Sequence, residues 1–147
     1  MDIRRTVEAL CRKYQTRDPL QICQEKGIQV VFERLGSVRG YYSCSHRIKV
    51  IHINEALDEP QRLFTCCHEL GHALLHPKTN TPYLRANTLF SVDRLEKEAN
   101  LFAVCMLYPQ DYLRQEFEGY SSVQVAEQLK LPLDLAEYAM GAGKFDS

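Results

Sequence analysis

The chain has 147 residues, of which 25% are charged and 45% apolar, and a formal net charge of −1. That balance suits an ordinary globular domain with one sizeable core. It supplies no general positive charge to hold nucleic acid or an anionic membrane, and no apolar run approaches the roughly 18 residues of a membrane span.

Ile3, Val7, Leu10, Cys11 and Tyr14 recur at helical spacing, so residues 2–14 read as an amphipathic helix rather than a signal peptide. Asp18-Pro19 marks a second helix start and Gly27 its stop. Residues 28–34 then alternate, with Ile28, Val30 and Phe32 on one face and Gln29, Val31 and Glu33 on the other. Strand-like runs at 38–44 and 47–53 follow, separated by Ser45-His46. These runs predict a small, mostly antiparallel sheet.

Asp58 with Gln61 three residues later has the form of a capping box, and Pro60 falls in the first turn. The helix should run over 59–76, with Leu63, Cys67, Leu70 and Leu74 as its apolar stripe and Pro77 beyond its end. Residues 77–92 show no period and read as a long loop, a length at which loops are often functional. Asp93 and Glu96 form another capping-box signature before a helix at 94–107, and Pro109 starts a shorter one to about residue 117. The tail from 121 reads as two short helices around Leu131-Pro132.

The order of helices, sheet and helices predicts one α+β domain over 1–147. Its parts would be N-terminal helices (1–27), the sheet (28–54), two long helices (59–108) and short C-terminal helices (109–147). The apolar spacing of the tail resembles a helix-turn-helix. Between 121 and 147, however, Lys130 and Lys144 face Glu127, Asp134, Glu137 and Asp146. A DNA-reading helix needs a positive footprint, so two packing helices are the better reading. Cysteines stand at 11, 23, 44, 66, 67 and 105 without a C-x-x-C pair, the pattern of reduced, buried thiols in a cytosolic protein.

His68-Glu69-Leu70-Gly71-His72 carries the chemistry. Histidines four apart lie on one helix face, where one divalent metal can take both imidazoles, and Glu69 stands beside the metal, placed to take a proton from an activated water. This is the H-E-x-x-H arrangement of zinc hydrolases. A catalytic zinc usually has three protein ligands. The spacing that would add a Gly and a third His meets Leu75 and Lys78 instead, so the third ligand should be Glu96 or Glu98 on the following long helix. These two point roughly 200° apart, so only one can serve a given metal. Glu96 can reach back to cap its helix. Glu98 lies in the stripe of Leu95, Ala99, Phe102 and Met106, where a carboxylate needs a partner. That argument favours Glu98. His76, one turn past His72, suits a capping or supporting role at the helix end better than ligation. Tyr41, Tyr42, His46, His52, Tyr83 and Arg85 have the chemistry to contact substrate or its oxyanion, and the 47–53 run is the expected edge strand for an extended peptide.

The run His68-Glu-Leu-Gly-His-Ala-Leu-Leu-His76 followed by Glu96-Lys-Glu-Ala-Asn-Leu-Phe-Ala103 resembles the ImmA/IrrE family of metallopeptidases. Gly40-Tyr41-Tyr42, Ile51-His-Ile-Asn54 and Met106-Leu107-Tyr108-Pro109 are similar to further segments of that family, so the likeness spans about 17–113. It implies a zincin-like fold with a thermolysin-like zinc site in which His68, His72 and Glu98 are ligands and Glu69 the general base. Manganese or iron(II) could use the same donors. It also implies a cytoplasmic bacterial or phage protein whose substrate is a helix-turn-helix repressor of a prophage, mobile element or stress response, with no membrane or direct nucleic-acid binding. Two departures stand out: many relatives carry a longer chain or a fused DNA-binding domain, for which these residues leave no room, and Tyr108 stands where relatives often have Met. The competing expectation is a metal-containing binding module that sequesters a partner regulator without cutting it.

Overall fold

The computed structural model describes residues 2–81 and 89–141, with 89–93 as backbone only. Helix α1 (Ile3–Tyr14) starts where the Asp2 carboxylate accepts the N–H of Arg5, and it buries Ile3, Val7 and Cys11. Helix α2 (Pro19–Glu25) is capped by Asp18 and turns Ile22 and Cys23 inward. Both helices start on side chains that satisfy amide groups the first turn leaves without an intrahelical partner. Three strands follow: β1 (Gln29–Glu33), β2 (Gly40–Ser45) and β3 (Ile48–Asn54).

The strand order is β1-β3-β2, with β3 parallel to β1 and antiparallel to β2. The sheet is therefore mixed rather than mostly antiparallel, and β3 is its central strand rather than the expected edge. The two-residue turn His46-Arg47 forces β2 and β3 to run antiparallel. The connection at 34–39 then carries the chain past β1 without pairing, which leaves β1 to take the other side of β3. Ile51 and Ile53 of β3 are fully buried, and the strand has neighbours on both sides.

Helix α3 (Glu59–Leu75) begins with the expected capping box: Gln61 N–H donates to Asp58 at 2.9 Å, and Asp58 N–H donates to the Gln61 side chain at 3.2 Å. Helix α4 (Leu89–Leu107) starts five residues before the expected position 94, so Asp93 lies inside it and cannot be its cap. The two long helices meet closely. A Cβ placed on Gly71 would lie 3.0 Å from the Cβ of Phe102. Around this contact Leu70, Ala73, Phe102 and Met106 join Ile51 and Ile53 of the sheet and Val7 and Ile22 of the first helices in one core.

Helices α5 (Gln110–Glu116), α6 (Ser122–Leu129) and α7 (Leu133–Ala139) complete the described residues. Leu135 and Ala139 enter the main core, while Val125, Ala126, Ala136 and Met140 form a small cluster of their own. The end of α7 is tied to α1, because Arg4 donates to the Ala139 carbonyl at 2.7 Å and the Tyr138 hydroxyl accepts the Ile3 N–H at 3.0 Å. Arg17 closes the C-terminal end of α4 by donating to the carbonyls of Cys105 (2.6 Å) and Met106 (3.1 Å) while gripping both oxygens of Glu8. Among the described residues no helix is long and apolar enough to cross a membrane. The six cysteines are free.

The β2–β3 turn places two residues with side chains at positive φ, His46 at 52° and Arg47 at 68°. A two-residue hairpin of this kind normally carries Asn-Gly, because L side chains crowd the backbone there. Replacing His46→Asn together with Arg47→Gly should raise stability by about 1 kcal/mol. A urea midpoint equal to or below wild type would show that the turn stores no such strain.

Candidate metal centre

His68 and His72 lie on one face of α3, both buried, with ring centroids 4.9 Å apart and planes at 85°. Glu96 reaches them from α4. Its Oε2 lies 3.0 Å from His68 Nε2 and its Oε1 lies 3.0 Å from His72 Nε2. The three donor atoms all lie within 4.8 Å of one another. Around a tetrahedral divalent ion, donors at about 2.1 Å stand roughly 3.4 Å apart, so these side chains need only small adjustments to share one ion.

Their ionisation suits the same task. Burial alone would push the Glu96 carboxyl up, but hydrogen bonds with His68 and His72 and their proximity outweigh it, and the group sits far below the usual carboxylate range. Burial lowers the His72 imidazole, against an upward pull from Glu96. A neutral imidazole and an ionised carboxylate are the charge states in which such groups bind a metal.

Glu69 is 2% exposed and faces a cleft of about 370 Å³ that also reaches His68, Glu96 and Asn100. Residues 37–40, leading into β2, line the same cleft, together with Phe64 and Thr65 of α3. This segment comes close because position 40 is glycine: a Cβ there would stand 2.6 Å from the His52 carbonyl oxygen and 2.7 Å from Thr65 Cγ2.

The structure corrects the expectation that Glu98 joins the two histidines. Glu98 Oε1 lies 2.7 Å from Nε2 of His76 instead, and Glu96 takes the place between His68 and His72. The capping role that set Glu96 aside fails because α4 begins at Leu89, about two turns before it. Glu98 does have a partner, but it is a histidine. His76 is the C-cap residue of α3, as its position suggested, and its Nδ1 lies 3.0 Å from Nδ1 of His72.

Among the described residues, the other candidates do not line the cleft. Tyr42 is fully buried and donates its hydroxyl proton to the Pro77 carbonyl at 2.7 Å. Tyr41 stacks on His52 at 4.1 Å, and His52 Nδ1 is 2.7 Å from Glu33. His46 sits in the hairpin turn beside Ser45. Tyr83 and Arg85 fall outside the described residues. Asn100 and Thr65 line the cleft without having been singled out. Asn100 could have been found by its i+4 spacing from Glu96, which puts both on one face of α4.

Residues 23–140 match the Peptidase_M78 family, described as the IrrE N-terminal-like domain. The chain belongs to this family. It is 39% identical over 137 residues to "Uncharacterized immunity region protein 2" of Bacillus phage phi105, covering 91% of this chain and 86% of that protein. It is 28% identical over 143 residues to "Metallopeptidase ImmA" of Bacillus subtilis (strain 168), covering 94% of this chain and 83% of that one. A solved structure described as a Mycobacterium tuberculosis transcriptional regulator shares the fold, with a TM-score of 0.58 at 16% identity over 92% of this chain and 45% of that chain. Membership makes this a metallopeptidase-type domain, and a resident metal ion is what its two histidines and Glu96 are suited to hold.

The centre depends on how closely α3 and α4 approach. Gly71→Ala must displace Phe102 at its Cβ, which cannot swing away. The variant should lose about 1–2 kcal/mol, read as a lower urea midpoint. Wild-type stability would mean that the two helices part at no cost.

Proposed function

We propose that this protein is a zinc-dependent endopeptidase in which His68, His72 and Glu96 hold the metal and Glu69 is the general base. The observation that carries this reading is the meeting of two buried imidazoles and one carboxylate at the edge of a cleft that also contains Glu69. Two nitrogens and one oxygen make zinc the first choice, and manganese or iron(II) could take the same donors.

When bound, the ion would polarise a peptide carbonyl and make water acidic enough to be deprotonated near neutral pH. The chain's own residues supply the rest. Glu69, buried at the cleft wall, accepts the proton of the attacking water and returns it to the leaving amine. An extended peptide would enter past residues 37–40, where β2 borders the cleft. Farther along β2, the strand edge is already occupied: Tyr42 N–H donates to Thr81 Oγ1 at 3.0 Å and Cys44 N–H to Asn80 Oδ1 at 2.7 Å. Strand addition is therefore confined to the glycine end of β2.

The substrate we favour is a helix-turn-helix repressor of a prophage or mobile element, met in the cytoplasm. The relatives named for an immunity region and for ImmA support that choice. Co-expression with a repressor encoded beside the gene should yield a metal-dependent fragment. Glu69→Gln should keep zinc and fold while slowing cleavage roughly 1,000-fold. Glu96→Ala should lose both zinc and cleavage. A repressor that is held intact by the zinc-loaded protein would replace the peptidase with a sequestering module. Cleavage by Glu69→Gln at the wild-type rate would remove Glu69 from its role.

A further inference from the structure

We infer that His76 and Glu98 are positioning residues that take up the Nδ1 proton of His72 by hydrogen bonding when its Nε2 holds a metal. The inference rests on the proposed metal centre. His72 turns Nε2 toward Glu96, so a metal-binding His72 must keep its proton on Nδ1. That nitrogen lies 3.0 Å from Nδ1 of His76, and a hydrogen bond between two ring nitrogens needs one proton between them. If His72 donates, His76 accepts at Nδ1 and its own proton belongs on Nε2. Nε2 of His76 lies 2.7 Å from Glu98 Oε1, and an ionised carboxylate only accepts. Every proton in the row then has one place.

Were His76 to donate from Nδ1, the neutral His72 would carry its proton on Nε2 and donate it to Glu96 at 3.0 Å, the arrangement that suits the metal-free site. An ion taking Nε2 would displace that proton, and Glu98, accepting from the far side of His76, then supports a proton on Nδ1 of His72. The row is held firmly. His76 is 8% exposed, its N–H donates to the His72 carbonyl at 2.7 Å, and its own carbonyl accepts the Thr79 hydroxyl at 2.7 Å. Arg94 approaches the other Glu98 oxygen at 3.7 Å from an exposed position. His68 has no such support: its Nδ1 is buried without a hydrogen-bond partner among the described residues. The two ligand histidines are thus unequal, and His72 is the one whose Nδ1 has a buried partner.

The test uses the full chain and zinc alone, with affinity measured by chelator competition and the histidine ring protons read by long-range proton–nitrogen NMR of the zinc-loaded protein. Glu98→Leu and His76→Ala should each weaken zinc binding about 10–100-fold. The double variant should bind no more weakly than His76→Ala, because both residues act through one ring. Glu98→Gln, which can still accept at its amide oxygen, should recover most of the affinity. In the zinc-loaded protein the His72 Nδ1 proton should be hydrogen-bonded and protected from exchange in wild type and lose that protection in Glu98→Leu. A merely structural role would lower the melting temperature without changing that protection. Wild-type zinc affinity in Glu98→Leu with an unchanged His72 proton would overturn the inference and leave the metal centre standing. A wild-type protein that binds no zinc would remove the centre and this inference with it. If His76→Ala does not fold, Glu98→Leu and Glu98→Gln decide the matter through the same two measurements.

Discussion

Everything at the proposed centre depends on the approach of α3 to α4 at Gly71. A carboxylate on one helix reaches imidazoles on another only when the backbones lie close, and here a missing side chain on α3 meets Phe102 of α4. That contact places Glu96 between His68 and His72 and Glu98 against His76. Burying two histidines and a carboxylate would be costly for each alone, and their mutual hydrogen bonds offset much of that cost. The rest of the fold holds the two helices in place. Asp58 and Gln61 fix where α3 begins, and Arg17 satisfies the last carbonyls of α4. Arg4 adds a hydrogen bond to the Tyr108 carbonyl at 2.8 Å.

The sheet contributes by its order rather than its size. With β3 in the middle, both of its ladders are used and its inward residues Ile51 and Ile53 join the core under α3. This leaves β2 as the strand whose beginning borders the cleft. Its glycine at 40 allows the chain to pass against Thr65, and the side chains of Asn80 and Thr81 close its outer edge farther on. A peptide that pairs with this edge has therefore only a short length of open backbone to use. Such a site would draw selectivity from what else the substrate touches, which suits an enzyme with one protein target better than a digestive one.

Local chemistry made much of this legible in the sequence. Asp18 and Asp58 begin helices because their carboxylates satisfy exposed amide groups, and such signals need no knowledge of the fold. The strands were legible from alternation, but their order was not, because the pairing of β1 with β3 joins residues about twenty apart and leaves no local mark. The choice between Glu96 and Glu98 shows the same limit. Their opposed directions and the need of Glu98 for a partner followed from one helix alone. Which partner each would find depended on where α4 began and on how it crossed α3. The segment before α4 has no period, so the cap at Asp93 looked like a start when it was not.

That pair of carboxylates also explains why the row of histidines on α3 is longer than a metal requires. His68, His72 and His76 rise along one face in steps of four residues, about 6 Å each. Residues 96 and 98 are only two apart on the facing helix but point to opposite sides, so each meets a different junction of the row. Glu96 meets the first, between His68 and His72, and must stay ionised to face both Nε2 atoms. Glu98 meets the last ring and can influence the centre only through the hydrogen bonds that run back along the row. Exchanging their positions would not preserve either task, because the geometry that lets Glu96 span two rings gives Glu98 access to one. A motif of two histidines and a glutamate is enough to hold an ion. The third histidine and the second glutamate are what would support one of those ligands while it holds the ion.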